Sequence, residues 1–395
     1  MLTPIQRAVA IGTGCTNMQT RMNIAIVGAG IGGLAAAALL KRAGHQVNVY
    51  EQAPRFARVG AGIQMAPNAV KVLRGLGLEE RLRRIAFQSD VALSREWDTG
   101  AITSELRLGR EVETRYGAPY LFLHRADLHA AIHAIVPPGV VHLDRKLSGF
   151  DANARGVTLT FADGEQLNAD MLIGADGVHS LVRDTLLGPE RPHFTGRVAY
   201  RTTYPAARLR APITPARTKW WGPDRHMVVY YVTAARDELY FVTSVPESAE
   251  WMTPESWSAK GDLDELRAAY AGFHPEVQAV LDATPEVYKW ALFERDPLPR
   301  WSEERVVLLG DACHPMTPYM AQGAASALED AAVLTRCLEG IDPDGLQQAF
   351  SIYEATRKPR ASAIQTNSSN NTWLRGKTDP GWVYGYDAWT APLAS

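Results

Sequence analysis

Ile24-Ala25-Ile26-Val27-Gly28-Ala29-Gly30-Ile31-Gly32-Gly33-Leu34-Ala35-Ala36-Ala37-Ala38-Leu39-Leu40 runs from an apolar strand through a tight glycine turn into a helix. That context gives a G-x-G-x-x-G string physical meaning as a dinucleotide fingerprint. Gly28 permits the sharp turn, Gly30 lets the backbone approach a pyrophosphate, and Gly33 lets the helix pack close to the sheet. The first N–H groups of the helix then face phosphate oxygens. Val47-Asn48-Val49-Tyr50 predicts the second strand, and Glu51 stands at its end. A carboxylate about 20 residues past the glycines accepts hydrogen bonds from a ribose diol and repels a 2'-phosphate. Glu51 therefore predicts an adenosine ribose without that phosphate.

Outward from this stretch, 395 residues with 46% hydrophobic side chains suffice for one large domain with an insertion or for two domains. A formal charge of −2 offers no basic surface for a phosphate backbone, so nucleic acid is not an expected partner. Three cysteines, Cys15, Cys313 and Cys337, are too few and too scattered for a disulfide framework or a zinc cluster, and they fit a reducing cytoplasm. Cys313 reads as a small buried residue rather than a nucleophile. Residues 1–21 lack a signal-type apolar core and read as a tail outside the fold. No run of 18 or more apolar residues predicts a membrane-spanning helix.

Further along, residues 60–68 read as a glycine-rich turn carrying Gln64 and opening a helix over 69–76. Leu121-Phe122-Leu123-His124 predicts a buried strand, and a helix starts at Arg125. Arg125 has two readings, a phosphate or flavin contact and a helix-end salt bridge. Residues 157–161 with Ala162-Asp163-Gly164 predict a hairpin, and Met171-Leu172-Ile173-Gly174 predicts a buried strand that delivers Asp176-Gly177 at its carboxyl end. From 198 to 290 the aromatic and β-branched alternations predict an antiparallel sheet able to roof a flat ligand. Arg305-Val306-Val307-Leu308-Leu309 predicts a strand returning to the dinucleotide sheet, ending in Gly310-Asp311, and a helix follows from about Gly323.

Three separated segments, the glycine fingerprint, Asp176-Gly177 with Ser180 and Arg183, and Gly310-Asp311-Ala312 with His314 and Pro318, together resemble the group A flavoprotein aromatic hydroxylases. The likeness spans residues 23–387. It implies an α/β fold: a Rossmann-like FAD/NAD(P)-binding domain with an antiparallel-sheet substrate domain, as in p-hydroxybenzoate hydroxylase. The expected division assigns 22–95, 120–197 and 298–395 to the FAD domain with its C-terminal helices, and 96–119 and 198–297 to the substrate domain. The resemblance implies FAD held by Gly28, Gly30, Gly33, Glu51, Arg125, Asp176, Gly177, Gly310, Asp311 and Gly323, with Asp311 on the ribityl chain. It also implies NADH as reductant and O2 as cosubstrate, although Glu51 does not itself choose between NADH and NADPH.

Within the family, Lys219-Trp220-Trp221, Asp224-Arg225-His226-Met227, Tyr230-Tyr231, His314-Pro315-Met316 and the strings at 371–374 and 382–387 resemble the branch acting on hydroxypyridine carboxylates. This implies decarboxylative hydroxylation, with 6-hydroxynicotinate giving 2,5-dihydroxypyridine and CO2. His226 and Tyr230, four apart on a strand, share a face. They can bind and help deprotonate a ring hydroxyl, or pack as ordinary sheet residues. Pro318 is expected to edge the flavin; His314 either does so too or braces the loop. Two positions depart from the branch: Gln64 replaces a histidine and Arg217 a cysteine. Gln64 can donate a hydrogen bond but carries no proton near neutral pH. Arg217 either holds a substrate carboxylate or lies on the surface. The alternatives are a salicylate-type hydroxylase of a carbocyclic hydroxybenzoate, a flavin-binding protein without turnover, and an NAD-dependent dehydrogenase. The expected partner is a small aromatic acid, and the chain a monomer or homodimer.

Overall fold

The computed structural model describes residues 21–58, 60–189, 192–248, 259–376 and 379–395. The expected tail thus lies, apart from Arg21, outside the described residues.

The strands Asn23–Val27, Gln46–Tyr50 and Met171–Gly174 pair in parallel, Asn23–Val27 at the centre, and Val306–Leu308 joins Met171–Gly174 on the far side, also parallel. With Val141–His142 and Ser302–Glu303 at the edges they make a six-stranded sheet. Its inner strands are buried on both faces, which is why they read as continuous apolar runs rather than alternations. The helix Ile31–Arg42 packs against the helix Gly323–Cys337. Their approach is close: a methyl on Gly32 would stand 2.6 Å from Leu309 Cδ2 and 3.1 Å from Ala327 Cβ.

A second sheet of seven strands, in the order Tyr288–Glu294, His193–Pro205, Glu238–Pro246, His226–Tyr231, Arg217–Trp221, Val91–Glu96 and Ile102–Arg107, holds its own aromatic-rich core. It departs from the expected all-antiparallel sheet at one pairing, since Arg217–Trp221 runs parallel to Val91–Glu96. That pairing draws 91–95 into the substrate-side sheet, and the strand from His193 draws in 193–197, so both expected boundaries at 95/96 and 197/198 shift. Local pattern cannot reveal such a pairing because its partners lie more than 100 residues apart (Ala92 with Arg217).

Residues 62–65, expected within a turn, form the strand Gly62–Met65, antiparallel to Leu121–His124. The helix that follows is Pro67–Gly75. Gln64 is thereby held on extended backbone, in register with Phe122.

Candidate active site

A cavity of about 520 Å³ runs along the carboxyl ends of the parallel strands. Gly30, Arg125, Gly177, Asp311 and Gly323 border it together, so the three sequence segments converge on one cleft. The glycines of the fingerprint divide the work. Gly28 has φ +103°, and a methyl there would stand 2.2 Å from the Ala175 carbonyl oxygen; one on Gly33 would stand 2.1 Å from the Gly28 oxygen. A methyl on Gly30 would meet no protein atom within 4 Å. Gly28 and Gly33 serve the turn, while Gly30 borders open space in the cleft.

Arg125 makes no side-chain ion pair or hydrogen bond among the described residues; it opens onto the cleft instead of bridging its helix end. Burial by the surrounding protein lowers its pKa, opposed by the charge of Asp311. Burial likewise raises the Asp311 carboxyl, opposed by His314 and Arg125. A guanidinium and a carboxylate left without hydrogen-bond partners on the wall of an elongated cavity fit a ligand carrying phosphates and hydroxyls. Gly310, at φ +67°, and Gly323, whose Cα-side space opens towards Asp311 Oδ1, complete that wall.

Glu51 and Asp176 take more local roles. The N–H groups of Ala29 and Ala53 each donate to a Glu51 carboxylate oxygen at 2.9 Å, so Glu51 clamps the glycine turn. Asp176 turns away from the cleft: its carboxylate accepts from Ser180 Oγ at 2.5 Å and from the Val182 N–H at 3.1 Å, capping the helix Leu181–Leu187. From this segment Ala175 and Gly177 line the cleft. His129 was not anticipated: its Nε2 lies 2.7 Å from the Ala29 oxygen and steadies the same turn.

A smaller lobe opens beside the cleft, sharing with it Gln64, Val242, Pro318 and Ala321. Alternation along His226–Tyr231 sends His226, Val228 and Tyr230 to one face, as expected; His226 lines the lobe and Tyr230 the junction-side wall of the cleft. The same alternation along Arg217–Trp221 sends Arg217 and Lys219 into the lobe. Arg217 is therefore not a surface residue; it is 5% exposed and its Nη1 has no hydrogen-bond partner. Tyr120 donates to Gln64 Oε1 at 2.9 Å, fixing the amide at the mouth between lobe and cleft. Burial, reinforced by Lys219, Arg197 and Arg217, holds the His226 imidazole well below its usual range and so neutral. Burial, reinforced by Tyr240 and Tyr120, holds the Tyr230 phenol well above its range and so protonated. Tyr120, Lys219 and Trp373 are lining residues the sequence reading missed. Only Lys219 left a signal, two residues beyond Arg217 on one strand face.

His314 does not reach either space. Its Nε2 meets Asp330, whose other oxygen accepts from Arg357 Nε at 2.8 Å, and all three side chains are closed to solvent. It braces the loop that carries Pro318. Burial pushes the Cys313 thiol well above its usual range, consistent with a packed rather than a reactive residue.

The family described as "FAD binding domain" matches residues 21–368. The 6-hydroxynicotinate 3-monooxygenase of Bordetella bronchiseptica is 49% identical over 378 residues, 95% of this chain and 98% of that protein. The enzyme of the same name from Pseudomonas fluorescens is 47% identical over 378 residues, with the same coverage. Among solved structures, a salicylate hydroxylase substrate complex superposes with a TM-score of 0.80 at 26% identity, covering 93% of this chain and 96% of that one.

Proposed function

The chain belongs to the FAD-binding-domain family, and from that premise we propose that it hydroxylates 6-hydroxynicotinate with loss of CO2, using NADH and O2 and giving 2,5-dihydroxypyridine. One observation supports the reading most: a lobe lined by the neutral His226 imidazole and the basic side chains of Arg217 and Lys219 opens directly onto the dinucleotide cleft through Gln64 and Pro318, beside the Tyr230 phenol on the cleft wall.

When bound and reduced, the flavin supplies electrons to O2 and an electrophilic oxygen to the ring. The protein's own residues prepare that ring. Arg217 is placed to pair with the carboxylate through its planar fork. His226, held neutral, can accept a hydrogen bond from the ring hydroxyl, and Tyr230, held protonated, can donate one. Drawing the hydroxyl proton toward His226 raises electron density at the opposite ring carbon, which carries the carboxylate. Oxygen attack there is followed by loss of CO2 as aromaticity returns. Apolar Val228, Val242 and Met320 keep water from competing for the ring.

A second reading, hydroxylation of a carbocyclic hydroxybenzoate, draws on Gln64 standing where the pyridine branch has histidine. Purified holoenzyme incubated with NADH and either 6-hydroxynicotinate or a hydroxybenzoate panel separates the two. Substrate-stimulated NADH oxidation with stoichiometric CO2 and 2,5-dihydroxypyridine is the expected result; turnover confined to a benzoate would overturn it. Among the described residues no helix is long and apolar enough to cross a membrane. Cys313 and Cys337 are unpaired and buried, which fits action in the cytoplasm.

A further inference from the structure

Lys219 is 1% exposed and lies on the wall of the aromatic lobe. A buried ammonium normally has a carboxylate beside it. Among the described residues none pairs with Lys219; its Nζ rests 3.7 Å from the centre of the Trp221 ring. Its charged neighbours are instead like charges, and after burial itself Arg217, Arg375 and Arg197 pull its pKa well below the usual range. Among the described residues no carboxylate lines the lobe. Two basic side chains, Arg217 and Lys219, thus line one small space, and burial and like charges disfavour the Lys219 ammonium until an anionic ligand joins them.

Their spacing adds a constraint. Arg217 and Lys219 are two residues apart on one extended strand, a separation of roughly 7 Å at the backbone. That is comparable to the span across a six-membered aromatic ring from a carboxylate to an oxygen at the opposite position; an adjacent pair spans far less. The two cations also have different neighbours. Arg217 acts electrostatically on the phenols of Tyr120, Tyr384 and Tyr230, whereas among the charged neighbours of His226 Lys219 acts most strongly, ahead of Arg197 and Arg217.

Resting on the functional reading above, we propose that Lys219 is a specificity-determining residue: beside His226, it stabilises an ionised ring oxygen on an aromatic acid whose carboxylate, held by Arg217, lies at the opposite ring position. The lobe then selects a ligand with two anionic centres across the ring. Acids that lack the ring oxygen, or carry it next to the carboxylate, leave one cation unmatched. The ring hydroxyl's proton passes to the neutral His226 imidazole, and the positive charge of Lys219 in a dry site favours the oxyanion that remains.

The test measures ligand binding to the flavin-loaded protein through the perturbation of the flavin absorbance, for wild type, Lys219→Met and Arg217→Gln. Probes are 6-hydroxynicotinate against nicotinate and 4-hydroxybenzoate against benzoate, with salicylate for the adjacent arrangement. In wild type the hydroxy acid of a pair binds at least tenfold tighter than its parent and tighter than salicylate. Lys219→Met abolishes most of that preference and leaves parent-acid affinity nearly unchanged, whereas Arg217→Gln weakens hydroxy and parent acids alike. Methionine matches the lysine stem and removes a costly buried charge, so flavin content and thermal midpoint should hold; Lys219→Gln supplies a second variant of different shape. A preference that survives in both variants, an equal loss for both members of each pair, or no preference in wild type overturns the proposal. A preference confined to the benzoate pair would instead overturn the pyridine substrate and leave the role of Lys219 standing.

Discussion

His314 Nε2 lies 2.5 Å from Asp330 Oδ2, and neither side chain reaches solvent. The contact ties the loop after Gly310 to the helix Gly323–Cys337, and so fixes the segment that presents Pro318 and Ala321 to both spaces.

Asp330→Asn should therefore destabilise the fold by about 3–5 kcal/mol, since it leaves a buried imidazolium and weakens the hold on Arg357. Burial raises the Asp330 carboxyl, but His314 and Arg357 more than offset this and bring it down to about 2. Burial lowers His314, and Asp330 more than offsets that, so its pKa is raised. The carboxylate's contribution is present above about 3.9 and lost as pH falls through the folded value. The imidazolium's is full below about 6.5 and lost as pH rises through its raised value. Urea midpoints should show the gap between wild type and variant larger at pH 6 than at pH 9, with a residual gap from Arg357. A gap independent of pH would remove His314 from the account.

Gly28→Ala and Gly30→Ala should fail in opposite ways. At Gly28 the positive φ and the Ala175 carbonyl leave no room for a methyl, so little soluble protein is expected. Gly30→Ala should fold with a thermal midpoint near wild type, because its backbone is extended and its methyl enters open cleft. Its flavin content on purification should fall sharply. Wild-type flavin retention by Gly30→Ala would place the pyrophosphate elsewhere.

Asp311→Ala should weaken flavin binding roughly ten- to a hundredfold, the loss of one charge-assisted hydrogen bond. Stability of the flavin-free protein should not fall, since the carboxylate makes no hydrogen bond among the described residues and burial opposes its charge. Fluorescence titration of the apoprotein and its melting curve check the two halves separately.

Tyr230→Phe should cut hydroxylation about a hundredfold while changing stability by no more than about 1 kcal/mol and leaving FAD in place. NADH oxidation would then continue without matching product. Full coupling in the variant would make Tyr230 a packing residue of the sheet, a role its contact with the Phe122 ring already supports in part.

The sequence exposed those parts of the site whose chemistry is local. Gly28, Gly30 and Gly33 act through backbone geometry set within a few residues, and the strand at 121–124 with its helix from Arg125 follows from composition and a turn signal. Side-chain direction was less legible: Asp176 stands in the expected segment, yet its carboxylate bonds to Ser180 and to the nearby helix N-terminus, a few residues along the chain. The strand Gly62–Met65 was hidden because its glycines announce a turn, while its pairing with Leu121–His124 is set by distant residues. Lys219 was passed over because lysine is ordinarily a surface residue, and its strand lies inside the sheet only through the parallel pairing with Val91–Glu96 on one edge and the antiparallel pairing with His226–Tyr231 on the other.

The lobe takes its rear wall from Trp373 and Leu374, whereas the lining of the dinucleotide cleft ends at Ala327. A nascent chain leaving the ribosome thus exposes all the cleft's residues before the last of the lobe's. Cofactor capture can precede completion of the ring chamber, and ribosome-arrested chains ending between these points would reveal that order by retaining flavin without discriminating among acids. Substrate choice is, in this sense, the last decision the polypeptide makes.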